Sequence, residues 1–370
     1  MKTKKPDKGL IIIIFLLLIF GLAILFSASM DISQRQTGKP YYYFFHQLIY
    51  GGVLGIIAFL FLQKINYKVW KKFSLLIFFG ALVLCVLVFI PKLGYAHGGA
   101  QRWLAIGPIT FQPSEFLKLA LVIYLAAFFS KTCLPASRKN PQGGATNTLI
   151  PFLAITAVIG GLMALQNDAG TLGLIVIVGI IMYFLSGTKI KNLAIVIVCY
   201  ATAFFALIKF FPHRIQRFAT FLNPSLDPQG ISYQINQALI AIGSGGLFGR
   251  GLGHSIQKYN YLPEPMGDSI FAITAEEIGF VGSVIFIILF IFLIFKGLKI
   301  AKQAPDSFGK LLACGIISWF GFQTLINIAA ISGLIPLTGI PLPFVSYGSS
   351  ALIITLAGAG ILTNISRYSQ

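Results

Sequence analysis

Charge is what this 370-residue sequence has least of: 10% of its residues are charged and 56% are hydrophobic. Soluble domains carry about 25% charged residues. So few charges cannot cover a water-soluble surface of this size, and lipid must solvate much of it. Acidic residues are the scarcest, 10 against 28 Lys and Arg, for a net charge of +18. In a soluble chain that excess would suggest nucleic acid. In a membrane chain it belongs to cytoplasmic loops, where basic residues set orientation, and no nucleic-acid partner is expected. There are only 4 cysteines. Cys85, Cys199 and Cys314 lie in apolar runs and Cys133 in a basic stretch, with neither CxxC nor zinc spacing. No disulfide and no structural zinc are expected. HExxH, GxSxG and DxD are also missing, which removes the signatures of a zinc protease, an elbow-type serine hydrolase and a metal-dependent nucleotide-sugar transferase.

What is present is a series of long apolar runs. A spanning helix takes roughly 20 mostly apolar residues. Runs of that kind fall at 10–30, 44–63, 73–90, 113–130, 149–166, 171–187, 192–209, 269–295, 311–332 and 343–364. They predict an all-α, polytopic integral membrane protein of about ten transmembrane helices. The first run follows Lys2, Lys4, Lys5 and Lys8 and ends near Ser27-Ala28-Ser29, as a signal peptide would. Its uncharged stretch, Leu10 to Phe26, exceeds the usual apolar core of about 7–15 residues, so it is read as helix one. No polar stretch is long enough for a second domain, and 1–370 is expected to be a single transmembrane domain with both termini on one side. Of the Lys and Arg residues, 18 fall on the N-terminal side and nine on the other, with Lys118 inside a span. That asymmetry places both termini in the cytoplasm.

The outer side carries the longer loops, Pro91 to Gln112 and a stretch of about 210–268 between helices 7 and 8; loops this long are usually functional. The second contains a glycine-rich run, Gly243 to Gly253. It fits neither GxGxxG nor GxxxxGK[ST], so a tight re-entrant or loop backbone is expected rather than a nucleotide site. Small residues at Gly160, Gly161, Gly170 and Gly173 are expected to allow close helix packing.

Ionisable groups at membrane depth are costly and therefore candidate sites. Glu115 and Lys118 share a face at the start of the fourth span, after Pro113. They are either a structural ion pair or a substrate contact. Asp168, in the turn Asn167-Asp168-Ala169-Gly170, reads first as a helix N-cap. Asp268 stands at the outer mouth of the eighth span behind Pro263 and Pro265. It is either a cap or a carboxylate held at the membrane boundary. Glu276 and Glu277, two turns further in, need partners or protonation, and bonding to neighbouring helices or basic groups is the preferred reading.

The same residues carry a family pattern. Gly99-Ala100-Gln101-Arg102-Trp103 with Phe111-Gln112-Pro113-Ser114-Glu115-Phe116-Leu117-Lys118 resembles the SEDS family (shape, elongation, division and sporulation proteins: FtsW, RodA and SpoVE). So does Gly251-Leu252-Gly253-His254-Ser255-Ile256-Gln257-Lys258, leading through Tyr261-Leu262-Pro263-Glu264 to Asp268 and Ala275-Glu276-Glu277-Ile278-Gly279. Near the C-terminus the run Thr338 to Gly348, with Pro341, Pro343, Ser346 and Tyr347, resembles it too. The Gln257-Lys258 pair looks closer to the FtsW and SpoVE branch. The resemblance implies a peptidoglycan glycosyltransferase in the bacterial cytoplasmic membrane, polymerising lipid II on the outer face. It implies a class B penicillin-binding protein as transpeptidase partner, among other divisome or elongasome membrane proteins. Asp268 would be the general base, taking the proton from the GlcNAc 4-hydroxyl of the acceptor. Cations would surround the departing diphosphate, Arg102 first, then Lys118, Arg214, Arg217, Arg250 and Lys258. Glu115, Asp168, Glu276, Glu277 and Ser346 complete the expected substrate-binding set. A divalent cation, Mg or Mn, could assist, although no ligand cluster marks a site for one. Where family members often carry His-Thr before the aspartate, this chain has Met266-Gly267, and Ser349 replaces the second glycine after Tyr347. Two rivals remain: a lipid II flippase, which needs polar residues along a path through the bilayer, and a non-catalytic scaffold for a transpeptidase.

Overall fold

The computed structural model describes residues 4–97, 100–106, 109–132, 148–210, 221–223, 230 and 232–368. Helix α1 (Lys8–Thr37) starts where Asp7 accepts the Leu10 amide and stops where Gly38 turns left-handed, φ 70°. Asp7 also meets Lys296 at 3.4 Å, and its amide donates to Ser366 Oγ, so three distant segments meet there. Burial works against ionisation of Asp7, but the Leu10 amide and Lys296 outweigh it and hold its pKa below the ordinary 3.8. The second apolar run is continuous but not uniform: α2 (Tyr42–His46), a π-turn over Gln47–Val53, then α3 (Leu54–Leu62). There follow α4 (Lys68–Leu87), α5 (Pro113–Thr132), α6 (Leu149–Leu165), α7 (Ala169–Leu185), α8 (Ile190–Phe210), α9 (Tyr233–Ser244), α10 (Ile270–Lys302), α11 (Ser307–Ile331) and α12 (Ser349–Ser366).

Among the described residues, 7 helical runs are long and apolar enough to cross a membrane: α1, Tyr42–Leu62, α4, α5, α10, α11 and α12. The helices α6, α7 and the 190–203 part of α8 are apolar but shorter. The chain is a membrane protein. Burial sorts its helices into two groups. The apolar stretches of α12 and α5 are 89% and 83% buried, against 22% for α4 and 28% for α10. Helices α5, α11 and α12 therefore form the interior, and α1, α3, α4 and α10 surround them with apolar side chains turned outward. The interior helices hold the buried polar groups Glu115, Lys118, Gln323, Asn327 and Asn364, which lipid could not solvate.

Four features depart from the sequence reading. The 91–112 loop folds into a three-stranded antiparallel sheet, β1 (Gly94–His97), β2 (Ala100–Ile106) and β3 (Ile109–Phe111), so the chain is mostly helical rather than all helical. Hydrogen bonds between Ser350 Oγ and the Gln112 amide and Thr110 carbonyl tie that sheet to the start of α12. The long outer loop contains a helix of its own, α9. The last apolar run begins as non-helical chain, because Pro341 and Pro343 lack amide donors and Gly348 sits at φ 153°; α12 starts only at Ser349. Of the four small residues expected to let helices close together, Gly170 alone meets a tight neighbour: a Cβ there would lie 2.4 Å from the Thr338 carbonyl oxygen. That contact brings the α6–α7 turn against the 338–348 loop.

Candidate active site

Helix α10 is broken at Gly279, with φ 69° and ψ −171°, a conformation open essentially to glycine alone. The break frees the carbonyls of Glu276 and Glu277 and the amides of Phe280 and Val281. The glycine-rich run takes up all four. Arg250 and Gly251 amides donate to the Glu276 and Glu277 carbonyls at 3.0 Å, and the Phe280 and Val281 amides donate to Gly246 and Leu247 carbonyls at 2.9 and 3.0 Å. The glycines are there because the two backbones touch: a Cβ on Gly249 would lie 2.2 Å from the Glu277 oxygen. The run is a tight backbone seat for a broken helix, in line with its lack of a nucleotide-loop pattern.

The Glu276 and Glu277 side chains finish the same seat. Glu276 accepts from Ser255 Oγ at 2.5 Å and from the Ile256 and Gln257 amides at 2.9 and 3.3 Å, with Arg250 Nε at 3.6 Å. Glu277 Oε1 faces Lys258 Nζ at 3.1 Å and Ser27 Oγ at 2.5 Å, and Lys258 also donates to the Gly253 carbonyl at 2.7 Å. Lys258 and Glu277 are both 1% exposed. Each is the other's compensating charge in a place where a lone charge would be strongly penalised.

Asp268 closes a turn that precedes α10 and is half-buried. The turn is formed by the Gly267 and Ser269 amides donating to the Glu264 carbonyl. It is sewn to the 338–348 loop through the Tyr347 amide to the Met266 carbonyl (2.8 Å) and Ser346 Oγ to the Gly267 carbonyl (2.7 Å). Ser346 Oγ also accepts the Leu342 amide at 2.8 Å. Both stitches on the turn's side are backbone carbonyls, so Met266-Gly267 holds the turn through its backbone. Tyr347 adds an aromatic wall: its hydroxyl meets His46 Nδ1 at 3.1 Å, and burial pushes its phenol well above the ordinary value. Two amides reach Asp268 itself. Gln234 Nε2 on α9 lies 3.3 Å from Oδ1, and Asn327 Nδ2 on α11 lies 2.8 Å from its carbonyl oxygen.

On the other side of the 338–348 loop stand the remaining charges. Asp168 is the N-cap of α7, accepting the Thr171 amide at 3.2 Å, and takes Ser114 Oγ at 3.3 Å. Arg102 reaches out from β2 with Nη1 3.9 Å from Asp168 Oδ1 and donates to the Gln166 and Asn167 carbonyls. Those carbonyls end α6, where a cation is favoured. Glu115 and Lys118 form an ion pair of 2.8 Å, 1% and 3% exposed at the side chain. Lys118 also donates to Gln323 Oε1 at 2.9 Å, and Gln323 Nε2 donates to the Pro341 carbonyl at 2.8 Å, back into the 338–348 loop.

The 338–348 loop thus gathers Asp268, Ser346, the Glu115–Lys118 pair and the Arg102–Asp168 turn. Lys258, Glu276, Glu277 and Arg250 belong to the helix break. Arg214 and Arg217 lie outside the described residues. Among the described residues no three His, Cys, Asp or Glu side chains gather as a metal site would require. The sequence reading passed over Gln234, Gln323 and Asn327. Gln323 and Asn327 stand four apart in an apolar run, one face of one helix; two amides at membrane depth were the available signal.

The family model for cell cycle proteins of the FtsW, RodA and SpoVE type matches residues 8–370. Stage V sporulation protein E of Bacillus subtilis is 41% identical over 372 residues, covering 100% of both chains. The probable peptidoglycan glycosyltransferase FtsW of Coxiella burnetii is 36% identical, over 98% of this chain and 97% of that one. Among solved structures, the rod shape determining protein RodA of Thermus thermophilus superposes with a TM-score of 0.71 at 26% identity, covering 99% of this chain and 98% of that one. A chain from a peptidoglycan synthase complex superposes with a TM-score of 0.78 at 24% identity, covering 98% of each.

Proposed function

Because the chain belongs to the FtsW, RodA and SpoVE family of cell cycle proteins, on its FtsW and SpoVE side, we propose that it is a peptidoglycan glycosyltransferase polymerising lipid II. The observation that carries the reading is Asp268, a half-buried carboxylate at the mouth of a membrane helix, gripped at its carbonyl and at one side-chain oxygen. In the proposed reaction Asp268 removes the proton from the acceptor's 4-hydroxyl. The oxygen attacks the donor's anomeric carbon, the bond from that carbon to the diphosphate oxygen breaks, and undecaprenyl diphosphate leaves with inversion. Arg102, partly exposed beside the Asp268 loop's neighbour turn, is the first cation for the departing charge. Asp168 holds it from behind. Glu115 and Lys118 act by supporting Gln323 and the 338–348 loop, and Lys258, Glu276 and Glu277 by seating the broken helix, rather than by touching substrate.

The three shorter apolar helices also cross the bilayer, giving about ten spans in one domain of 1–370, with the long loop of about 210–268, between the seventh and eighth spans, on the outer face. Both termini are cytoplasmic, the membrane is the bacterial inner one, and a class B penicillin-binding protein is the partner. Gln234 and Asn327 face Asp268 with amide nitrogens, which are not metal ligands, so its carboxylate suits Mg or Mn only if the diphosphate and water supply most ligands, as is usual for Mg. Asp268 would hold such an ion and the ion would offset diphosphate charge. The test is incubation of the purified chain and its cognate transpeptidase with labelled lipid II, with and without chelator. Muramidase-sensitive glycan strands are expected. Labelled lipid II moved across a vesicle bilayer without any polymer would instead favour a flippase.

A further inference from the structure

We infer that Gln234 and Asn327 form a two-point clamp on Asp268 and are positioning residues for the glycosyl transfer, an inference that rests on the reading of Asp268 as base. They come from different helices, α9 and α11, and grip different parts of one residue. Gln234 Nε2 donates to Asp268 Oδ1 at 3.3 Å and to Ser269 Oγ at 3.0 Å, so it bridges the carboxylate to the first residue before α10. Asn327 Nδ2 spends both its hydrogens: one on the Asp268 carbonyl at 2.8 Å, the other on the Ile340 carbonyl at 2.8 Å. An amide nitrogen is the side-chain group that can donate twice over so short a reach without carrying charge. The two carbonyl acceptors also fix which end of the Asn327 amide is nitrogen. Gln323, one turn earlier on α11, repeats the device on the next carbonyl of the loop, Pro341, at 2.8 Å.

Three consequences follow from that geometry. The backbone of Asp268 is tied to the 338–348 loop, so the base moves with the loop and not with the 264–269 turn alone. Its side-chain rotation is limited, because Oδ1 is held toward α9. Its other oxygen, Oδ2, lies by Gly339, 3.9 Å from where a Cβ would stand. A general base must sit within hydrogen-bond reach of the proton it takes, and misplacement by about 1 Å can cost on the order of 100-fold in rate.

Asn327 serves the fold through those two hydrogen bonds, each a net stabilising contact, against one opposing cost. It is 1% exposed, and its Oδ1 has no hydrogen-bond partner. A buried acceptor left unpaired is unfavourable; an apolar residue of similar size would remove it but would take the donor away from two carbonyls. What leucine could not do is bridge the Asp268 and Ile340 carbonyls. Gln234 touches the carboxylate but no reacting atom, and it acts through Asp268.

The experiment compares the full-length wild type, Asn327→Leu and Gln234→Leu, each with its cognate transpeptidase, for kcat and KM in lipid II polymerisation. The clamp predicts, on equally folded protein, a fall in kcat of about 10- to 100-fold with KM within about twofold. A wild type that polymerises alongside variants that keep kcat within twofold overturns the clamp. A second measurement does not depend on turnover. In a chain whose native cysteines are replaced, Asp268→Cys is labelled with a membrane-impermeant maleimide, alone and combined with Asn327→Leu. The clamp predicts that the labelling rate rises at least fivefold in the double variant, and equal rates overturn it. If the wild type makes no polymer, the reading of Asp268 as base fails, and the labelling rates alone decide whether the clamp exists.

Discussion

Replacing Gly279 by alanine tests how the broken helix is held. Two costs can be read from the structure. The backbone there, φ 69° and ψ −171°, lies in a region essentially closed to residues with a Cβ, which costs about 1–3 kcal/mol. The new Cβ would also sit 2.2 Å from the Gly249 amide nitrogen and 2.7 Å from the Leu247 oxygen. Both are backbone atoms, so neither can rotate away, and overpacking of this kind costs about 1–3 kcal/mol more. If α10 relieved the strain by straightening, it would release the four backbone hydrogen bonds to residues 246–251, each worth about 1 kcal/mol. Either route takes a large share of a folding stability of about 5–15 kcal/mol. Thermal unfolding of the purified chain in detergent should show the midpoint lowered by at least about 5 °C. Gly173→Ala is the matched control: a Cβ there meets nothing within 4 Å, so the midpoint should hold or rise. A midpoint for Gly279→Ala within 1 °C of wild type, using about 1 °C as the resolution of such a scan, would refute the account of the helix break.

Lys258→Met should destabilise by about 3–5 kcal/mol, because Glu277 is left as a buried lone charge; adding Glu277→Gln should return most of that loss in the same unfolding assay. Arg102→Ala should lower kcat/KM for lipid II by about 10-fold or more, with the loss seen in kcat, the scale of a lost donor to developing charge, and with Arg102→Lys in between; steady-state polymerisation kinetics read it. Asp7 has a folded-state pKa held below 3.8, so its contribution is present above that value and lost as pH falls through the lower folded one. Lys296→Met should therefore flatten the acid side of a stability–pH curve below about pH 4 and leave neutral stability nearly unchanged, since half-exposed pairs contribute little.

Much of the helix pattern was legible because apolar runs are long and the bilayer length is fixed. Where the reading erred, local backbone chemistry was responsible. The sheet at 94–111 was signalled by Gly98-Gly99 and Gly107-Pro108 around a short run, a pattern typical of hairpins, but hydropathy does not register it. The start of α12 was set by two prolines and Gly348 rather than by hydrophobicity. In the site, the readings of Asp168 as a cap and of Glu115 with Lys118 as a pair match the geometry, since spacing along one helix decides both. Lys258 with Glu277 could not be read this way, because nothing local brings residues 27, 258 and 277 together. Gln234 and Asn327 were missed for a related reason: neutral amides carry no charge to flag them, and their importance comes only from what they touch.

The central claim is that Asp268 performs the proton transfer of glycan polymerisation. The most direct test follows glycan formation from labelled lipid II by the purified chain with its cognate transpeptidase, comparing wild type with Asp268→Asn. The account predicts polymer from the wild type and a rate lower by about 100-fold or more from an equally folded Asp268→Asn, the usual scale for loss of a general base. Equal polymer from both proteins would contradict it.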